Sequence, residues 1–240
     1  MKFIVCENYD EMSKEAAKIV ADLLKVKKDA ILGLATGSTP IGLYKELISE
    51  YNAGNISFKD VKTFNLDEYY PINKDNDQSY YYFMNDNLFS HVDIDLNNTD
   101  IPNGEAADAE KECEDYEKRI AASAGVDIQI LGIGQNGHIG FNEPDSELYM
   151  ATHLTGLTEN TIEANSRFFE SIDLVPKSAL TMGIGSIMKA KKIILLASGA
   201  NKNEAIEALK NGMLTTNVPA TMLKLHDDVV VICDKAAYGE

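Results

Sequence analysis

The sequence predicts an α/β protein built on a doubly wound, mostly parallel sheet with helices on both faces, Rossmann-like in kind. Two observations carry that expectation. Short apolar runs rich in β-branched residues recur along the 240 residues, as strands buried on both faces require. Amphipathic stretches of helical period lie between several of them, and such alternation favours right-handed crossovers. No internal repeat, low-complexity tract or Pro/Gly/Ser-rich linker divides the chain, so a single domain over residues 1–240 is expected.

The elements follow in order. Residues 2–6 are the first predicted strand. After it Met12, Ala16, Ile19, Val20 and Leu23 recur at spacings of three and four, the mark of one packed helical face. Asp10 is the expected N-cap, and Lys25, Lys27 and Lys28 sit where cations suit the helix dipole. Further strands are predicted at 30–35, 61–66, 126–132, 192–197 and 229–233. Further helices are predicted at 40–51, 78–89, 106–122, 158–168 and 201–210.

Composition narrows the function classes. A net charge of −16 repels a phosphate polymer, so neither nucleic acid nor an anionic membrane is an expected partner. A small anion is compatible with that charge, since it needs only local N–H donors and one or two cations. No apolar segment is long enough to cross a bilayer, and the run 3–6 is followed at once by Glu7 and Asp10, unlike a signal peptide. Cys6, Cys113 and Cys233 are odd in number and far apart, and read as ordinary thiols of a reducing, cytoplasmic compartment.

Active sites on open α/β sheets lie beyond the carboxyl ends of the strands, so the loops after each apolar run hold the candidates. The second run leads into Thr36-Gly37-Ser38-Thr39-Pro40. Glycine permits a sharp turn, and backbone N–H groups with a helix dipole make an anion cradle. The alternative is a plain strand-to-helix turn capped by Ser38 or Thr39. The P-loop lysine is absent, so a nucleotide is not implied.

The third run ends in Asn65-Leu66-Asp67-Glu68-Tyr69-Tyr70-Pro71. Asp67, at a strand end beside aromatic residues, is a candidate for proton abstraction. Glu68 reads instead as part of a solvated acidic turn.

The fourth run leads into Gly132-Ile133-Gly134-Gln135-Asn136-Gly137-His138-Ile139-Gly140-Phe141-Asn142-Glu143-Pro144. Four glycines in nine positions imply close backbone approach. They enclose His138, which exchanges a proton near neutral pH, with Glu143 five residues on to orient it. Gly137 is a candidate substrate contact in the same loop. His91, His153 and His226 show no spacing to His138 that suggests a shared metal, so no metal is expected.

The fifth run ends at Ser198-Gly199-Ala200, with Lys202 in the first turn of the next helix. A cation there opposes the helix dipole unless an anion is bound. Arg167, one of two arginines, suits bidentate contact with phosphate, or equally a surface acid.

Taken together, the motifs 36–40, 65–69, Gln78-Ser79-Tyr80, 131–144, 165–169, Val175-Pro176-Lys177-Ser178-Ala179-Leu180-Thr181 and 198–202 resemble the glucosamine-6-phosphate deaminase family over essentially the whole chain. The loop ending Phe141-Asn142-Glu143-Pro144 is the specific element; the 36–40 pattern is shared with 6-phosphogluconolactonases. The resemblance implies that His138 assists opening of the sugar ring, oriented by Glu143 and Asn136. It implies that Asp67 moves a proton from C2 to C1 through an enolamine, and that hydrolysis at C2 then releases ammonia and leaves fructose 6-phosphate. Phosphate contacts map to Gly37, Ser38, Thr39, Arg167 and Lys202, with Thr36 in the same cradle, and no cofactor is implied. The residues from about 145 to 173 correspond to a mobile lid.

Two departures from the family pattern stand out. Some members carry aspartate where this chain has Asn136, which can hydrogen-bond to the histidine but supplies no charge. Allosteric members carry arginine, lysine and threonine at the positions of His153, Thr155 and Gly156, and extend further beyond the last strand. Hyperbolic kinetics and a monomer or low-order oligomer are therefore expected. The competing functions are a 6-phosphogluconolactonase-like hydrolase, which needs no acid at Asp67 for C2 chemistry, and a noncatalytic sugar-phosphate sensor, which retains no reason to keep both Asp67 and His138.

Overall fold

The computed structural model describes residues 1–158, 162, 171 and 175–240. Its strands are β1 (Lys2–Cys6), β2 (Ile31–Leu34), β3 (Lys62–Asn65), β4 (Asp67–Tyr70), β5 (Thr99–Asp100), β6 (Ile128–Gly132), β7 (His153–Gly156), β8 (Ser178–Thr181), β9 (Lys192–Ala197) and β10 (Val229–Asp234). The longer helices are α1 (Tyr9–Val26), α2 (Ile41–Asn52), α3 (Tyr80–Asn87), α4 (Ala109–Ala122) and α5 (Asn203–Lys210). All six predicted strands are present. Most of the predicted helix 158–168, 13 of the 29 residues of the lid 145–173, and Arg167 fall outside the described residues.

Seven strands form one sheet in the order β1-β10-β9-β6-β2-β3-β5, every pair parallel. Apart from Lys192 at the start of β9 and Asp234 at the end of β10, these two strands are apolar, and they are buried because both faces of that sheet are covered. The chain runs outward from β2 through β3 to β5, then returns to place β6 on the other side of β2. That reversal is a topological switch point, where the strand ends diverge and leave a crevice. The four loops singled out in the sequence follow β2, β3, β6 and β9, four contiguous neighbours around the switch.

A second sheet departs from the expected architecture. β4, β8 and β7 pair antiparallel in that order, with Asp67 opposite Thr181 and Thr181 opposite His153. The link is short: Leu66 still belongs to the parallel sheet through its N–H to the Leu34 carbonyl (3.0 Å), and accepts from Met182 N–H at 2.8 Å. Asp67 therefore does not sit in a strand-end loop but opens a new strand. Tyr69, Ile72, Phe141 and Ala179 form a small core beneath that sheet, apart from the main core of the parallel sheet.

The first helix buries Met12, Ala16 and Val20, as its period requires, but its N-cap is Asn8, whose side chain accepts from Glu11 N–H at 3.0 Å. Asp10 lies inside the first turn, where its charge favours the dipole instead.

Candidate active site

In the turn after β2, Ser38 is exposed and Thr36, Gly37 and Thr39 are half-buried. Gly37 has φ +90°, a left-handed conformation that glycine adopts without strain, and α2 starts at Ile41 after the N-cap Pro40, with no side chain capping its N-terminus. Ser38 and Thr39 are thus not caps of that helix. A residue not singled out from sequence, Tyr9, braces this turn: its hydroxyl donates to the Ser38 carbonyl (3.1 Å) and accepts from Gly42 N–H (2.7 Å). Nothing in the pattern around Tyr9 signals this, because the contact spans 29 residues.

Across the sheet, the loop after β9 is fixed by Asp234, the last residue of β10. Its carboxylate accepts from the Ser198 hydroxyl (2.5 Å), from Gly199 N–H and from Ala237 N–H (2.8 Å). Gly199 turns at φ +94°, a 3₁₀ turn runs through Lys202, and α5 begins at Asn203. Asp234 has the same sequence signal as Asp67, an acid closing a buried run, and was open to detection on that ground.

Asp67 is buried, 6% exposed, and among the described residues its carboxylate has no hydrogen-bond partner. Burial first, and the neighbouring Glu68 second, push its pKa up to about 8. Such a carboxyl takes up and releases a proton near neutral pH, as a general base must.

Glu68 contradicts the expected solvated turn. It is 2% exposed, and its carboxylate accepts from the N–H groups of Tyr69 (2.9 Å), Tyr80 (2.8 Å) and Tyr81 (2.9 Å). Burial pushes its pKa up to about 7, against the opposite pull of those three donors. Two of them are the opening residues of α3, so Glu68 fastens that helix to β4. Tyr80 then lies on Tyr69 (4.7 Å between centroids) and parallel to Phe141 (6.2 Å, 4°), joining the Asp67 strand to the His138 loop.

The glycine-rich loop folds back tightly: Gly134 N–H donates to the His138 carbonyl at 2.9 Å. A side chain at Gly134 would place its Cβ 2.5–2.6 Å from the His138 ring atoms, and one at Gly137 would meet Val218 at 2.3 Å. Both glycines let side chains lie directly on backbone. Gly137 is buried. Gly140, at φ +57°, leaves a Cβ position 2.9 Å from Thr181 Oγ1 and 3.5 Å from Asp67 Oδ2, so the loop packs against the carboxylate.

His138 Nδ1 stands 3.0 Å from Glu143 Oε1, ion-pair distance, although the ring N–H is not aligned for a hydrogen bond along that line. Asn136 hydrogen-bonds to the histidine at its backbone. Its Oδ1 accepts from His138 backbone N–H (3.2 Å), and its Nδ2 donates to Glu143 Oε2 (2.7 Å). It orients the carboxylate that faces the histidine. Among the described residues no group of three or more His, Cys, Asp or Glu side chains is arranged to hold a metal. The loops that follow neighbouring strands thus carry a glycine turn before a helix, a buried carboxyl and a histidine–carboxylate pair, and the last two are groups suited to proton transfer.

Comparison with known proteins agrees with that chemistry. Residues 7–232 match the family described as glucosamine-6-phosphate isomerases/6-phosphogluconolactonase. The chain is 58% identical over 237 residues to a glucosamine-6-phosphate deaminase of Thermoanaerobacter sp. (strain X514), covering 99% of this chain and 94% of that one. A solved monomeric glucosamine-6-phosphate deaminase superposes with TM-score 0.97 at 48% identity, covering 100% of this chain and 99% of the other. The 6-phosphogluconolactonase of Trypanosoma brucei superposes at TM-score 0.80 with 20% identity over 99% and 97% of the two chains, a likeness of fold alone. Among the described residues no helix is long and apolar enough to cross a membrane.

Proposed function

Given that the chain belongs to the family of glucosamine-6-phosphate isomerases and 6-phosphogluconolactonases, we propose that it converts glucosamine 6-phosphate and water to fructose 6-phosphate and ammonia. The observation that supports this most is the packing of the Gly140 segment of the histidine loop against the buried Asp67 carboxylate. It joins a carboxyl that titrates near neutrality to a histidine–carboxylate pair, and lactone hydrolysis has no use for a C2 base.

In this proposal the phosphate is held by Gly37, Ser38, Thr39 and Lys202, with Thr36 in the same turn and Arg167 as a further cation. Gly137 brings backbone against the sugar. His138, faced by Glu143, shuttles the proton between the ring oxygen and the C1 hydroxyl as the ring opens. Asp67 takes the proton from C2, and the electron pair forms the enolamine. Return of the proton to C1 leaves an iminium at C2; water adds there, and the C–N bond breaks with release of ammonia. The C2 ammonium of the bound substrate also favours ionised Asp67, because an opposite charge lowers a buried acid's pKa.

The remaining parts of the proposal concern the molecule's setting. A monomer is supported by the monomeric state of the solved relative. A cytoplasmic location is supported by three buried free cysteines. An absence of nucleic-acid partners is supported by the net charge of −16. A single domain with a closing segment near 145–173 completes it.

The test is a coupled assay of both products from glucosamine 6-phosphate in EDTA, on the wild type and Asp67→Asn. Equal release of fructose 6-phosphate and ammonia, reduced by about 100-fold or more in the variant while substrate still binds, is the expected result. No product from folded wild type overturns the proposal, and 6-phosphogluconolactone is then the next substrate to try.

A further inference from the structure

The hydroxyl of Thr181 has no assigned part in the reaction, yet it lies at the meeting point of the two loops that carry it. Thr181 is fully buried at the end of β8 and directly opposite Asp67 in the antiparallel register. Residues so opposed point to the same face, with Cβ atoms roughly 4.5–5.5 Å apart. A Cβ built on Gly140 would lie 2.9 Å from Thr181 Oγ1 and 3.5 Å from Asp67 Oδ2, so both oxygens border one small space.

The oxygen of Thr181 is already used as an acceptor, by Phe141 N–H at 3.1 Å. A hydroxyl that accepts still has one proton to donate. Among the described residues no group takes that proton, while the facing carboxylate has no donor. The cross-strand register and the shared space beside Gly140 make the hydroxyl and the carboxylate neighbours.

We propose that the Thr181 hydroxyl donates to the Asp67 carboxylate and holds it aimed at the substrate's C2 hydrogen, so that Thr181 is a positioning residue for the base. This rests on Asp67 being that base. The same hydroxyl anchors the glycine-rich loop through Phe141, so one side chain sets the base relative to the His138 loop. A hydrogen bond given to an ionised acid favours the ionised form. Asp67 is also faced by Glu68 and Tyr69 of its own strand, Tyr44 of α2, Tyr80 of α3 and Tyr116 of α4. The His138 loop packs against it, and His153 of β7 lies beyond Thr181 in the same row. All of these stay in place in the variants below.

The experiment compares Thr181→Val, which keeps the branched shape, and Thr181→Ser, which keeps the hydroxyl, with wild type and Asp67→Asn. Steady-state deamination of glucosamine 6-phosphate is followed from roughly pH 5.5 to 9. Thr181→Val is expected to lose about 10- to 100-fold in kcat with KM changed less than about threefold, and Thr181→Ser to recover most of it. The acid limb of kcat/KM in Thr181→Val should move to higher pH, which mere loosening of the loop would not produce. Wild-type kcat in Thr181→Val, or a loss with an unmoved acid limb, overturns the inference while an inactive Asp67→Asn leaves the base assignment standing. A fully active Asp67→Asn overturns both.

Discussion

The side-chain amide of Asn136 donates a 2.7 Å hydrogen bond to the carboxylate of Glu143. Glu143 turns its other oxygen to His138 Nδ1, 3.0 Å away. Asparagine at 136 thus acts through Glu143: it donates to the carboxylate and adds no negative charge of its own. An aspartate in that place would bring two carboxylates to hydrogen-bond distance, where they share a proton at lower pH and repel once both are ionised. Asn136→Asp should therefore change the pH–rate profile, because the added carboxylate lies against Glu143, which faces the histidine. A kcat/KM profile superimposable on that of wild type would show that this pair is not coupled to the histidine.

The burial of Asp67 has a consequence for stability as well as for catalysis. Its pKa is raised in the folded state to about 8 from an ordinary carboxylate value of 3.8. Folding therefore favours the protonated form. Its contribution to stability is fully present below the unfolded pKa near 4 and is lost as pH rises through the folded value. Asp67→Asn removes that penalty, so the variant should be more stable than wild type by about 1–3 kcal/mol at pH 8 to 9, with the difference shrinking towards pH 4. Thermal unfolding across that range checks it. A variant less stable at every pH would mean that the carboxyl is stabilised by contacts in its ionised form.

The legible parts of this molecule are those whose signal is local. The parallel strands are buried on both faces, so Ile193–Leu196 and Val229–Cys233 read as apolar runs. The His138 loop is legible because its glycines crowd into nine positions for a steric reason that the structure displays. β4 was not legible: Asp67-Glu68-Tyr69-Tyr70 has no apolar alternation, because both acids are buried and one is satisfied by a helix twelve and thirteen residues later. β7 and β8 are short: β8 takes its register from β4, and β7 takes its own from β8. Glu68 read as solvated for the same reason, since its donors are backbone N–H groups, which leave no trace in side-chain chemistry. Tyr9 and Thr181 act through contacts 29 and 40 residues away, beyond any local pattern.

The face of β7 bears on regulation. His153 stacks on Tyr149 (4.1 Å between centroids, 16°), and its Nδ1 donates to the Ala151 carbonyl at 3.0 Å. Burial lowers its pKa, so near neutral pH it is uncharged and supplies no cation for a phosphate. Thr155 donates its hydroxyl to the neighbouring Gly156 carbonyl at 3.4 Å. Initial rates against glucosamine 6-phosphate should accordingly be hyperbolic, and N-acetylglucosamine 6-phosphate should leave them unchanged. Sigmoidal curves that this compound makes hyperbolic would contradict the prediction.

Gly134 is the position at which the smallest chemical change should separate catalysis from folding. Its backbone lies under the His138 ring, where an added methyl would fall 2.5 Å from Cε1 and 2.6 Å from both ring nitrogens. No positive φ is needed at Gly134, so alanine is tolerated by the backbone itself. The imidazole is partly exposed and can swing outward, which relieves the clash without opening the core. That motion takes it from Glu143 and from the crevice, and a displacement of about 1 Å in a catalytic group costs on the order of 100-fold. Gly134→Ala should thus lose roughly 10- to 100-fold in kcat, with a melting temperature within about 4 °C of wild type. Retained kcat would mean that the ring position seen here is not the one that reaches the sugar. A large fall in melting temperature would mean instead that the loop, rather than the ring, gives way.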